Sequence, residues 1–183
     1  MSKEIVIPVE DPQVILDLRA GEEVFLNGQM YTARDAAHKR LVELIEKGEE
    51  LPIDLEGSAI YYVGPSPARP GKPIGSAGPT TSGRVDPYAP LLMERGNKIM
   101  IGKGKRNDVV KEAMKKYGAV YMGAIGGAAA LIASAIKKAE VVAYDDLGPE
   151  AIRLLTVENF PVVVVNDTVG GDAYIDGREK YKR

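Results

Sequence analysis

The stretch Gly78-Pro-Thr-Thr-Ser-Gly-Arg84 gathers in one place the groups that bind a small acid. Its glycines let the main chain approach a ligand, and successive N–H groups can form an anion nest. Thr80, Thr81 and Ser82 add hydroxyls, and Arg84 adds a planar fork that matches a carboxylate. The Gly-Lys-Ser/Thr ending of a phosphate-binding P-loop is missing. Taken alone, such a stretch is more often a turn with solvated hydroxyls. A second candidate is Thr32-Ala-Arg-Asp-Ala-Ala-His38. Arg34 and His38 are four apart and share a face at the start of a helix. The free N–H groups and dipole there suit an anion, with Asp35 and His38 in support. The plainer reading is a capped helix with a solvated basic face. The third candidate is Ile101-Gly-Lys-Gly-Lys105, a strand end followed by glycines, where open α/β sheets commonly bind ligands. Lys103 is the residue of interest, whereas Lys105 and Arg106 read as an ordinary basic loop.

These segments need a frame. Strands are expected at Glu4–Val9, Ala59–Val63, Lys98–Ile101, Ala119–Met122, Val141–Tyr144 and Val162–Val165, with a hairpin from Val24 to Tyr31 around Asn27-Gly28. Helices are expected from Thr32, with Thr32 and Asp35 as a capping pair, and over Pro87–Arg95, Asn107–Tyr117, Ala128–Lys138 and Pro149–Leu155. Regular alternation in the second half predicts an α/β fold, a mostly parallel sheet covered by helices, with a β-rich N-terminal part. Gly64 to Gly83 is too long for an idle connection and reads as an ordered functional loop. Met122 to Ala130 is glycine-rich without the Gly-x-Gly-x-x-Gly spacing, so it reads as a tight strand-to-helix turn. Asp145, Asp146 and Asp167 read as turn or helix caps rather than metal ligands. Residues 176–183 are charged and expected to fray.

Composition narrows the chemistry. The 183 residues suit one domain, 1–183, and 45% are apolar. Lys and Arg number 24 against 26 Asp and Glu, so no basic excess points to nucleic acid or an anionic membrane. There is no cysteine, which excludes disulfides and any thiolate-held metal or iron–sulfur cluster on this chain. The single histidine leaves no self-contained zinc site. The N-terminus lacks the apolar core of a signal peptide and the longest apolar run is broken by glycines, so a cytoplasmic location is expected.

Together, Thr32-Ala-Arg-Asp-Ala-Ala-His38, Tyr62-Val-Gly-Pro-Ser-Pro67, Gly78-Pro-Thr-Thr-Ser-Gly-Arg-Val-Asp86, Gly102-Lys-Gly104 and Phe160-Pro161 resemble, in order and spacing, the β region of class I fumarases and L-tartrate dehydratases. The likeness covers nearly the whole chain, with Val85 standing where that family is expected to carry methionine. The resemblance implies a swivelling β/β/α domain. It also implies a 4Fe-4S cluster held on cysteines of a partner α subunit and not by this chain. One iron of that cluster takes the substrate hydroxyl and a carboxylate. Carried over by position, Arg34 and Arg84 would bind substrate carboxylates with Thr81 nearby. Lys103 would be the active-site lysine, and Thr80 a threonine in proton transfer. The family's active-site histidine falls outside the matched region, so His38 is not its equivalent.

The implied activity is hydration of fumarate to L-malate by a hydro-lyase that works only with its α subunit, in an α2β2 assembly. L-tartrate dehydration is the alternative within that class. A dicarboxylate-binding or regulatory module without catalysis is the alternative outside it.

Overall fold

The computed structural model describes residues 2–124 and 129–180. Among the described residues there are seven strands: β1 (Lys3–Ile7), β2 (Glu23–Thr32), β3 (Ala59–Tyr61), β4 (Ile99–Gly102), β5 (Val120–Ala124), β6 (Ile136–Ala143) and β7 (Ile152–Asn166). The helices are α1 (Gln13–Leu16), α2 (Asp35–Glu46), α3 (Ala89–Glu94), α4 (Asp108–Tyr117), α5 (Ala129–Ala135) and α6 (Ala173–Lys180). Short 3-10 turns cover Ser82–Arg84 and Asp145–Glu150.

The sheet closes on itself. Strands β2, β3, β4 and β5 run parallel, each beside the next, and β7 pairs antiparallel with both β5 and β2. Five strands therefore form a barrel-like mixed sheet. β1 adds in parallel along the first half of β2, and β6 adds antiparallel along the first half of β7. Side-chain alternation sorts the core into two layers. Ala59, Tyr61, Ile99, Ile101, Val120 and Met122 face inward with Leu26, Met30, Phe160 and Val162. Ile60, Tyr62, Met100 and Tyr121 face outward beneath α2, α3 and α4, packing with Leu41, Leu92 and Met114.

The expected helix Asn107–Tyr117 is present as α4, because its ends are written locally. Asn107 Oδ1 accepts the Val110 N–H at 2.9 Å, and Gly118 closes the helix in the left-handed conformation. Four other expectations fail. The Asn27-Gly28 hairpin is instead one continuous strand, β2. Gly28 (φ +123) sits at a bulge, where an added Cβ would lie 2.1 Å from the Ile7 carbonyl oxygen. With β1 on one edge and β7 on the other, residues 24–31 have no need to fold back on themselves. The helix expected over Pro149–Leu155 is the start of the 15-residue β7. Ile152 and Leu155 have helical spacing, but pairing with β2 and β6 on both edges overrides it. The helix expected to Lys138 stops at Ala135, and β6 takes over. Thr32 does not cap α2. It lies in β2, where its Oγ1 accepts the Arg153 N–H at 3.0 Å, and Arg34 occupies the cap position without a side-chain cap bond.

At the C-terminus, α6 continues through Lys180, with Asp172 Oδ1 accepting the Tyr174 N–H at 2.9 Å. Asp167 does act as a turn cap, its Oδ1 accepting the N–H groups of Val169 and Gly171. Asp146 instead forms a two-pronged ion pair with Arg40. The glycine-rich turn expected after Met122 falls largely on residues 125–128, outside the described residues.

Candidate active site

Three of the sequence-selected segments follow neighbouring parallel strands and leave from the same edge of the sheet. Arg34 follows β2, the long loop from Gly64 follows β3, and Lys103 follows β4. Parallel strands place their carboxyl ends together, so segments far apart in sequence meet there. The loop after β3 then returns to this edge. The Thr80 N–H donates to the Tyr62 carbonyl at 2.8 Å, and Thr81 forms a parallel bridge with Lys103. The Ser82 N–H donates to the Lys103 carbonyl at 2.9 Å, and the Lys103 N–H donates to the Thr80 carbonyl at 3.3 Å. Thr80, Thr81 and Lys103 are therefore main-chain neighbours. The 3-10 turn Ser82–Arg84 carries Arg84 on from that junction.

The loop itself is ordered by its own polar groups. The Ser66 N–H donates to the Ser76 carbonyl, the Ser76 N–H donates to Ser66 Oγ, and the Tyr61 hydroxyl donates to the Ala77 carbonyl. The two segments at the junction also touch as closely as a backbone allows. A Cβ added at Gly102 would lie 2.1 Å from Ser82 Oγ.

Arg34 is half-buried. Its side chain lies over Gly64, where an added Cβ would come within 2.9 Å of its Cδ. Its Nε faces Glu150 Oε1 at 3.6 Å and Asp35 Oδ1 at 3.7 Å. Among the described residues, neither Nε nor that Glu150 oxygen has a hydrogen-bond partner. His38 is 1% exposed, and its Nδ1 lies 2.7 Å from the Arg34 carbonyl. A carbonyl only accepts, so Nδ1 carries the proton. Burial, with the Arg106 charge adding to it, pulls the His38 pKa down to about 4, against the raising effects of the Arg34 carbonyl and Asp35. His38 is therefore neutral at pH 7 and reaches Arg34 through the main chain rather than through the guanidinium.

Arg84 and Lys103 are exposed, and among the described residues neither forms an ion pair. Thr80 is half-buried, and its hydroxyl donates to the Tyr62 carbonyl at 3.3 Å. Among the described residues no carboxylate bonds to that hydroxyl. The open groove of about 700 Å3 lined by Tyr31, Ile53, Arg95, Val142 and Leu154 contains none of these residues.

Sequence reasoning missed what lies beneath them. Arg106 reads as part of a basic loop, yet it is 4% exposed. Its Nε donates to Asp86 Oδ1 at 2.6 Å, and one terminal nitrogen donates to the Tyr62 hydroxyl at 3.3 Å. The guanidinium lies over the rings of Tyr62 and Tyr121, 5.2 and 4.8 Å from their centroids. Asp86 Oδ2 also accepts the Asn107 N–H, tying the pair to the start of α4. Burial works against the Arg106 charge, but Tyr62 and Asp86 outweigh it and hold its pKa above the ordinary value. Burial likewise pushes up the hydroxyls of Tyr62 and Tyr121, so both remain protonated. The available signal was the alternation Ile60/Tyr62, which puts Tyr62 on the outward layer, together with Asp86 at the end of the Gly78–Asp86 motif.

A cluster or metal held by this chain alone does not fit these side chains. The chain has no cysteine, and no group of three or more His, Asp or Glu side chains among the described residues is placed to hold a metal ion. What the edge offers instead is cations and hydroxyls, a surface suited to a small acid.

Residues 2–177 match the protein family described as the fumarase C-terminus. The chain is 46% identical to the anaerobic class I fumarate hydratase of Escherichia coli and 44% identical to the mitochondrial fumarate hydratase 1 of Leishmania major. Each match covers 81% of this chain but 28% of the relative's length. It is 38% identical to the putative L(+)-tartrate dehydratase subunit beta of Methanocaldococcus jannaschii, covering 89% of this chain and 87% of that one. No helix among the described residues is long and apolar enough to cross a membrane. On the match of nearly its whole length, the chain belongs to the fumarase C-terminus family.

Proposed function

We propose that this chain is the β subunit of a two-subunit hydro-lyase that interconverts fumarate and L-malate, and that it supplies the cationic half of the active site. The observation that carries the reading is the junction of Thr80, Thr81 and Lys103 beside Arg84, at the sheet edge that also bears Arg34. The relatives named fumarate hydratase support the reaction, and the relative named a β subunit supports the division between chains. We read the architecture as a swivelling β/β/α domain forming a single unit, supported by the closed sheet and its outer helices.

Dehydration of malate breaks one C–H bond and one C–O bond on neighbouring carbons, forms the double bond and releases water. The proton leaves from beside a carboxylate, and negative charge gathers there as it does so. Arg34, Arg84 and Lys103 hold the two carboxylates and stabilise that charge. Thr81 orients the acid. Thr80 takes part in proton transfer. A threonine hydroxyl is a poor base unless a neighbouring group activates it, and among the described residues it bonds only a carbonyl, so the activating group comes from the partner. Asp35 and Glu150 flank Arg34 on its Nε side. The 4Fe-4S cluster belongs to the cysteines of the α subunit, in a cytoplasmic α2β2 assembly.

L(+)-tartrate is the second substrate reading, favoured by the β-subunit relative that this chain spans almost end to end. The test is anaerobic assembly with a cysteine-bearing partner, followed by assay with malate, fumarate and both tartrate isomers. Turnover of malate and fumarate is the expected result. Turnover of tartrate alone moves the assignment to the second reading. A pair that binds dicarboxylate but turns over none of them makes the chain a binding module.

A further inference from the structure

We propose that the buried Asp86–Arg106 pair, with the hydroxyls of Tyr62 and Tyr121, is a positioning device that locks the Thr80–Arg84 segment to the Lys103–Arg106 segment. It presents Thr80, Arg84 and Lys103 to one ligand in a fixed arrangement. This inference rests on the functional reading above and deepens it.

The two segments lie mostly outside regular structure, joined at the main chain by one short bridge. Such loops drift unless their side chains are tied down. Two ties are present. Asp86, two residues beyond Arg84, holds Arg106, three residues beyond Lys103. The Tyr121 hydroxyl donates to the Gly104 carbonyl at 2.8 Å, so its 2.7 Å contact with Ser82 is donated by the serine hydroxyl. One phenol thus links the residue before Gly83-Arg84 to the residue after Lys103. Tyr62 extends the network. Its hydroxyl accepts from Arg106, its carbonyl accepts the Thr80 N–H, and its ring meets the edge of His38 at 5.3 Å. His38 in turn holds the Arg34 carbonyl.

The pair is a poor way to gain stability. Well-packed apolar residues in place of a buried ion pair are commonly neutral or stabilising. A guanidinium fork between two tyrosines does fix direction, which apolar packing does not. Fixing direction matters at a site that must meet two carboxylates at once, where a displacement of about 1 Å costs ~10²-fold in rate.

The discriminating variant is the double replacement Asp86→Leu/Arg106→Met, studied in the full chain assembled with its partner. The expected result is a folded protein with a cooperative thermal transition, a ~10²-fold fall in kcat/KM for malate, and faster amide exchange at Ser82 and Lys103. It should also bind succinate with less advantage over butyrate than the wild type does, since misplaced cations no longer grip both carboxylates. A folded double variant with wild-type kcat/KM and an unchanged succinate-to-butyrate ratio overturns the proposal. If the double variant does not fold, Tyr121→Phe carries the same measurements, with the same results supporting or overturning it. If the wild-type pair turns over no substrate, the functional reading fails. The succinate-to-butyrate ratio then decides this proposal by itself, and an unchanged ratio in the variants overturns it.

Discussion

Two neighbouring groups of cations stand on one sheet edge, and the fold treats them in opposite ways. At the start of α2, Arg34 is half-buried and already faces two acids, Glu150 and Asp35. At the junction of the β3 and β4 loops, Arg84 and Lys103 are exposed without an acidic partner among the described residues, while Arg106 is sealed beneath them on Asp86. The charges left open are those a ligand or partner can reach. The charge that needs an acid to survive burial is kept one layer below, where it holds the loops rather than the ligand.

The sharpest way to break this contrast is to remove one arginine of each kind. Arg106→Ala leaves Asp86 buried and unpaired and is expected to destabilise the chain by about 3–5 kcal/mol. Arg84→Ala is expected to stay within about 0.5 kcal/mol of the parent. Urea unfolding of both variants checks the pair, and equal losses would erase the distinction between anchor and ligand-facing charge.

A somewhat smaller effect should follow pH. Buried His38 has a folded pKa of about 4 against an ordinary 6.5, so the unfolded chain binds its proton first as pH falls. Its contribution to stability is complete above about pH 6.5 and is lost as pH falls from there to about 4, a loss of about 3 kcal/mol. Urea midpoints between pH 7 and 4 measure it, and His38→Gln should flatten that part of the profile. A profile that His38→Gln leaves unchanged would move the buried proton-sensitive group elsewhere.

The smallest effect is expected at Glu150. Glu150→Gln keeps the shape beside Arg34 but removes one half-exposed charge, a change worth less than about fivefold in KM. A hundredfold fall in kcat instead would place Glu150 in the chemistry and end the view of it as a flanking acid.

The loops that carry the candidate residues were more legible in the sequence than the elements around them. Arg34, Thr80, Arg84 and Lys103 stand out because glycines, hydroxyls and basic residues mark loops that approach a ligand. The parallel strands that bring those loops together were readable from the alternation of β3, β4 and β5 with α3 and α4. Helix α4 was legible to the residue because Asn107 and Gly118 write both ends. β2 and β7 were not, since Asn27-Gly28 and Ile152–Leu155 carry local signals that long-range pairing cancels. Arg106 was missed for a related reason. Glycines and lysines around it say loop, and nothing local says that Tyr62, Tyr121 and Asp86 close over it.

If exposed cations of this chain act on the substrate of a cluster-bearing partner, kcat/KM for malate in the anaerobically assembled pair must depend on them, and Lys103→Ala compared against the unaltered chain measures that dependence. A fall of ~10²–10³-fold with an unchanged thermal transition is the expected result. A variant that turns malate over within twofold of the unaltered pair contradicts it.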